Sequence, residues 1–123
     1  MTNWIEKLGT WITMANNYRN AFANLTTSNT TFYTSPSDSR AIIQNIQVAN
    51  DNSNNNNVEI YVHDYSANVS YEIAHDSLAS KETINLAKGP IILQENDYIF
   101  GQTDNNNSAT LTLAILEINR NQV

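Results

Sequence analysis

Few side chains in this sequence are suited to acid–base catalysis. His63 and His75 are the only histidines among 123 residues. Each is followed by an aspartate, but adjacent residues on a strand point to opposite faces, so neither pair can act as a unit. Carboxylate pairs for glycoside hydrolysis could come from Glu59, Glu72 and Glu82. Nucleophile elbows and phosphate-binding loops are missing from the sequence. We therefore expect surface histidines, solvating carboxylates and a protein that is not an enzyme.

The Asn-rich sequence DNSNNNN, which begins at Asp51, resembles the start of a calcium-binding loop. Asp51, Ser53 and Asn55 alternate like the first ligands of an EF-hand. The match then fails, because Asn56 occupies the turn position that requires glycine and Val62 the position of the bidentate glutamate. We expect a solvated hairpin loop here, with neither a metal nor another cofactor.

Tyrosines offer an alternative function, carbohydrate binding. Tyr61, Tyr65 and Tyr71 lie close together in the sequence, and Asn and Asp side chains in neighbouring loops suit the recognition of hydroxyl groups. Tyrosine is also an ordinary strand residue. A lectin-like binding module therefore remains the second hypothesis.

Charge and hydropathy argue against two classes of partner, nucleic acid and membrane. The formal net charge is −6, and the six basic residues are scattered, whereas binding to nucleic acid requires a basic face. The first residues lack the basic region and the long apolar run of a signal peptide, and the sequence contains no stretch long enough to span a membrane. With no cysteine, disulfides and thiolate metal sites are excluded. We expect a protein made in the cytoplasm that binds neither nucleic acid nor membrane.

Apolar residues alternate with polar ones along most of the chain, which is typical of half-buried strands. After Ile115 the apolar parity changes to Leu116 and Ile118, which predicts a bulge or burial on both faces. An edge strand is expected from Thr30 to Tyr33. The inward-facing sets are predicted to be Ile42, Ile46 and Val48; Val58, Ile60 and Val62; Val69, Tyr71 and Ile73; Ile84 and Leu86; and Leu111, Leu113 and Ile115.

Turn-forming residues separate these strands at the spacing of an all-β domain. Clusters of Asn, Asp, Ser, Gly and Pro punctuate the sequence between strands of five to nine residues. The pattern predicts an antiparallel β-sandwich or jelly roll as a single domain over residues 18–123.

The sequence GPIILQENDYIF illustrates the construction of the domain. Pro90 lacks an amide hydrogen, so it fits the first residue of a strand or a sheet edge. Ile91 and Leu93 are expected to face one layer and Ile92 the other. Residues 94–97 are expected to form a tight hairpin.

The N-terminal residues 1–17 are predicted to form a short helix or an irregular arm. Five apolar side chains fall on one helical stripe, although Gly9 and several β-branched residues weaken the helix. The stripe could seal the protein's own core, or it could be a partner interface made for another subunit. Its members are Trp4, Ile5, Leu8, Trp11 and Ile12.

The order of these features resembles that of small β-sandwich virion proteins of tailed bacteriophages. The resemblance covers residues 30–118 and rests on the strand with its Asn-rich loop, IIQNIQVANDNSNNNNVEIYVHD, on INLAKGPIILQENDYIF, and on the last strand, TLTLAILEI. It implies a structural component of the virion at the neck, the tail or the capsid surface. Such a component would be made in the host cytoplasm, would form a homo-oligomer and would contact other virion proteins.

Overall fold

The structure, a computed structural model, describes residues 16–106 and 108–119. The predicted N-terminal helix or arm lies outside the described residues, together with Trp4, Ile5, Leu8, Trp11 and Ile12. All regular elements in the described ranges are strands, so no helix there could cross a membrane. The strands are β1 (Asn16–Asn24), β2 (Thr30–Thr34), β3 (Ser39–Asn50), β4 (Asn56–Asp64), β5 (Val69–Leu78), β6 (Thr83–Asn85), β7 (Ile91–Leu93), β8 (Tyr98–Thr103) and β9 (Ala109–Asn119).

Two antiparallel sheets confirm the predicted all-β sandwich. Sheet A has the order β1-β9-β3-β6, and β7 pairs with another part of β3. Sheet B has the order β2-β8-β4-β5. This connectivity is that of a jelly roll whose fourth strand in sheet A is split into β6 and β7. β1 already includes Asn16 and Asn17, which the sequence pattern assigned to the arm.

The core lies between the sheets and contains most of the residues whose alternation predicted it. Gly101 shows how tightly sheet B is packed at its centre, because a Cβ built there would lie 2.3 Å from the carbonyl oxygen of Glu59. β2 forms the predicted edge of sheet B. The predicted core residues that are buried are Ile46, Val48, Val58, Ile60, Leu86, Leu111, Leu113 and Ile115.

The predicted burial of β5 is wrong. Tyr71 pairs with Val62, so its side chain lies on the inner side of sheet B as expected. However, β5 is the edge strand, and Val69, Tyr71 and Ile73 remain 41%, 56% and 38% exposed. Ile73 is the extra residue of a bulge opposite β4. Alternation predicted the correct side of the sheet for Val69 and Tyr71 but not for Ile73, since Ala74 pairs with Ile60. The exposure of Val69 and Tyr71 shows that the other layer does not cover this edge.

A second bulge, in β3, corrects the predicted inner face of that strand. The register of β3 against β9 shifts between Ile43 and Asn45, so Gln44 is the extra residue. Ile43 is therefore buried in place of Ile42, which lies on the outer face of sheet A. Downstream of the bulge, Ile46 points inward as predicted.

The end of β9 keeps its alternation, so the bulge predicted after Ile115 is absent from this strand. Leu116 and Ile118 are half-buried on the outer face, and Glu117 takes the inner position. The carboxylate of Glu117 accepts hydrogen bonds from the Tyr33 hydroxyl and from Arg19 Nη1, the latter at 3.2 Å. Burial and this hydrogen bond to Glu117 raise the pKa of Tyr33.

Two connections predicted as hairpins instead cross between the sheets. The Asn-rich loop joins β3 in sheet A to β4 in sheet B. Its middle is exposed as predicted, but Asn50 and Asn56 are buried, and Asn56 Nδ2 donates to Ser108 Oγ at 2.8 Å. Residues 94–97 likewise form a turn, and they lead from β7 in sheet A to β8 in sheet B. Asp97 stabilises this turn by accepting from the amide of Gln94 at 2.9 Å.

Candidate functional site

Aromatic rings cover the outer face of sheet B. The Tyr61 and Phe100 rings, from the paired strands β4 and β8, stack with centroids 5.1 Å apart. His63 stacks on Tyr98 at 4.8 Å, and the Tyr98 and Phe100 rings meet at 5.7 Å. We call these four residues the aromatic stack. Cross-strand pairing places all four on one side of the sheet, where each ring covers another.

Hydrogen bonds continue beside the aromatic stack. The Tyr61 hydroxyl donates to Glu59 Oε2 at 2.8 Å, and Gln102 Nε2 donates to the same oxygen at 3.2 Å. The hydrogen bond to Glu59, followed by burial and the nearby Glu72, raises the pKa of Tyr61 to about 12.

The carboxylates considered for catalysis are only partly brought together. Glu59, Glu72 and His75 each offer a donor atom within 4.8 Å of the others, on the outer face of sheet B. Glu82 lies elsewhere and accepts from the amide of Ala79 at 2.8 Å. Glu72 and His75 are exposed, so water solvates both, and Glu59 is already held by Tyr61. An open cleft of about 500 Å³ adjoins Glu59 and His75.

The three tyrosines considered for sugar binding do not share one platform. Tyr61 lies within the aromatic stack on the outer face, whereas Tyr71 lies on the inner side of sheet B. Tyr65 is 59% exposed in the turn between β4 and β5. A sugar ring could therefore meet Tyr65 or Tyr71, but it could not lie across all three.

Exposed apolar side chains collect at one end of β5. This cluster, which we call the β5 patch, consists of Tyr65, Val69, Tyr71 and Ile73, all between 38% and 59% exposed. β5 is ten residues long and forms an edge of sheet B, so one side of its backbone is unpaired within the described chain. A long edge strand with apolar side chains is a template for pairing with another chain.

A second apolar surface crosses the outer face of sheet A. Tyr18 in β1 lies opposite Leu116 in β9, Leu116 opposite Ile42 in β3, and Ile42 opposite Ile92 in β7. These four residues, here called the apolar row, run straight across four strands. Tyr18 and Ile92 are 73% and 64% exposed. Sequence reasoning missed the row because its members come from distant segments, although the apolar parity of Leu116 was the signal for it.

No protein-family model matches the sequence, and no curated protein matches it. Solved structures do share the fold. One, from a study of the acidic-stable capsid of a Helicobacter pylori bacteriophage, has a TM-score of 0.54 and 13% identity over 85% of this chain and 87% of the other. Another, from disulfide-linked pili that are Bacillus endospore appendages, has a TM-score of 0.51 and 8% identity over 85% and 86%.

A third similar structure is the Drosophila NLP core, described in terms of pentamer formation and histone binding. It has a TM-score of 0.50 and 16% identity over 84% of this chain and 96% of the other. At such identities the similarity establishes the shared sandwich fold and nothing about residues of a site.

Proposed function

We propose that this protein is a non-enzymatic building block that assembles with copies of itself through protein–protein contacts, as a structural component of a phage particle. The neck, the tail and the capsid surface are the positions that the sequence resemblance implies. The other virion proteins it contacts there would be its further partners.

The β5 patch is the observation that carries this proposal. Its four apolar side chains lie on or next to an edge strand whose backbone can accept a further strand. Burying them against another copy would remove apolar area from water, which is the main source of binding free energy in protein association. Main-chain hydrogen bonds along β5 would supply the register of the contact.

Fold similarity supports the proposal without fixing its details. The phage capsid protein and the pilus protein both belong to assemblies, and both match more than four-fifths of this chain. The disulfide linkage of the pili does not carry over, because this sequence has no cysteine.

Mass measurement of the full chain tests the assembly. Size-exclusion chromatography with light scattering should give a defined multiple of 13.8 kDa. Changing both Val69→Asp and Tyr71→Asp should reduce that mass to one chain, because two charges would be buried unpaired in the contact. The matched control is Thr31→Asp, an exposed position on the other edge strand of sheet B, which should leave the mass unchanged.

Electron microscopy of the assembled chain then separates the kinds of particle. Closed rings or shells would agree with a component of the neck or the capsid surface, whereas open filaments would agree with a tail component or an appendage. A single-chain mass at every concentration would contradict the proposal. So would saturable glycan binding that disappears in Tyr65→Ala and Tyr71→Ala, because it would establish the sugar-binding alternative.

A further inference from the structure

The apolar row on sheet A lacks a covering element among residues 16–106 and 108–119. Its central members, Ile42 and Leu116, are half-buried only by their neighbours in the sheet, and Tyr18 and Ile92 at its two ends are mostly exposed. Isolated apolar residues on a surface are ordinary, but four in register across four strands form a contiguous stripe. A contiguous apolar stripe of this kind is typical of a surface that another segment or chain covers.

A depression lies beside the row on the same face. Its volume is about 170 Å³, and its floor and walls include Tyr18, Asn20, Gln44 and Ala114. The bulge at Gln44 and the small side chain of Ala114 leave room there that a regular sheet with larger side chains would fill. The row is apolar, whereas the lining of the depression also includes the amides of Asn20 and Gln44 and the side chain of Arg19. An indole ring, which is apolar but carries one N–H donor, suits such a surface.

The chain enters sheet A next to this surface. β1 begins at Asn16, two residues before Tyr18, which is the first member of the row. Trp11 lies five positions before Asn16, and at about 3.5 Å per position the two Cα atoms are at most about 17 Å apart. The row crosses three gaps between strands, a distance of about 14 Å at the usual strand spacing. Trp11 can therefore reach any member of the row.

Residues 1–15 have the composition that such a surface would bind. They carry both tryptophans of the chain together with Ile5, Leu8 and Ile12. A segment joined to the domain by a few residues meets its own surface at a high effective concentration, which favours the same chain over a neighbour.

We propose that the apolar row and its adjoining depression are the docking surface of residues 1–15 of the same chain, with Trp11 as an anchor. Docking buries the row under the two tryptophans and completes the outer layer of sheet A. This inference does not depend on self-assembly, because the contact lies within one chain and on the sheet opposite the β5 patch.

Tryptophan fluorescence provides a direct test, because both tryptophans, Trp4 and Trp11, belong to the proposed occupant. In the full chain we expect emission typical of buried indole and weak quenching by acrylamide. Changing both Tyr18→Asp and Ile92→Asp should shift the emission to longer wavelength and increase quenching. Both positions are highly exposed, so the sandwich should still fold, as circular dichroism would verify.

The matched control is the double variant Val69→Asp and Tyr71→Asp on sheet B, which should leave tryptophan emission unchanged. Emission that is identical in the parent and in the sheet A variant would overturn the proposal. A change in mass without a change in emission in the sheet A variant would also overturn it, since the row would then be a subunit contact. The β5 variant tests assembly separately, so either idea can fail alone.

Cross-linking identifies which chain supplies the segment. Because the sequence has no cysteine, Ile12→Cys and Ile92→Cys can be introduced together and joined with a short bifunctional maleimide. A product that migrates as one chain supports docking within the chain. A product that migrates as two chains would overturn it and assign the surface to the segment of a neighbouring copy.

Discussion

The two outer faces of the sandwich deal with apolar side chains in different ways. On sheet B, the rings of the aromatic stack cover one another, and Tyr61 and Gln102 both donate to Glu59. On sheet A, the apolar row ends in two side chains that are 73% and 64% exposed. One face is thus stabilised by contacts within the sheet, and the other retains apolar area that a further contact could bury.

This difference shows why a count of hydrophobic residues does not identify a binding surface. Stacked aromatic rings bury each other's faces and gain about 0.5–1.5 kcal/mol per pair beyond area burial. In the apolar row, by contrast, Tyr18 and Ile92 are mostly exposed, and Ile42 and Leu116 are only half-buried. The capacity for a new contact therefore lies with Ile42, Leu116 and Ile92 rather than with the more aromatic face.

The largest effect is expected from crowding the centre of sheet B. In Gly101→Ala the new methyl group would meet the carbonyl oxygen of Glu59 at 2.3 Å, with Phe32 and Ile60 atoms at 3.1 Å. Because backbone must move, we expect a loss of about 3 kcal/mol in the free energy of unfolding, measured by urea denaturation. The matched change on sheet A, Ala114→Val at the depression, should cost less than about 0.5 kcal/mol. Equal losses would show that the two sheets are packed alike.

A smaller effect is expected from removing a ring from each outer face. Phe100→Ala removes the ring that contacts both Tyr61 and Tyr98, and it should lower the free energy of unfolding by about 2 kcal/mol. Phe22→Ala on sheet A removes a ring that is 68% exposed, so the change should stay within about 0.5 kcal/mol. Urea denaturation of both variants measures the difference. A similar cost at Phe22 would mean that a contact covers it in solution.

The smallest effect concerns ionisation on the stacked face. The pKa of Tyr61 is raised from 10.0 to about 12, chiefly by its hydrogen bond to Glu59. Since the folded state holds this proton more tightly than the unfolded state, the stabilisation is fully present below pH 10 and is lost as the pH rises towards about 12. Ultraviolet titration of the parent and of Tyr61→Phe should show that one late-ionising tyrosine disappears. Glu59→Gln should leave Tyr61 closer to its ordinary pKa, and an unchanged titration would contradict the assigned cause.

Sequence reasoning predicted the sandwich and most of its core because alternation acts over a few residues. Val58 and Ile60, and likewise Leu111 and Leu113, point inward as their spacing requires. The prediction of buried residues from the sequence failed at bulges and at the sheet edge. Because Gln44 is an extra residue in β3, Ile43 is buried in the core where alternation predicted Ile42. No local sequence pattern marks that insertion. The connections at 51–57 and 94–97 have turn residues, but turn residues do not reveal whether the next strand stays in the same sheet.

Local patterns in the amino-acid sequence are enough to predict the fold class and the side of each sheet on which most side chains lie, and the sequence contains few groups suited to catalysis. The period of two in a strand is a local property of the backbone, and it needs no knowledge of distant residues. Which sides of the sheets are covered depends on the tertiary structure. Tyr71 points inward but stays exposed because β5 lies at the edge, and Tyr18 and Ile92 become part of one surface because β9 and β3 lie between their strands. Burial depends on what lies across the sheet, which is set by strand order and register between segments far apart in the chain.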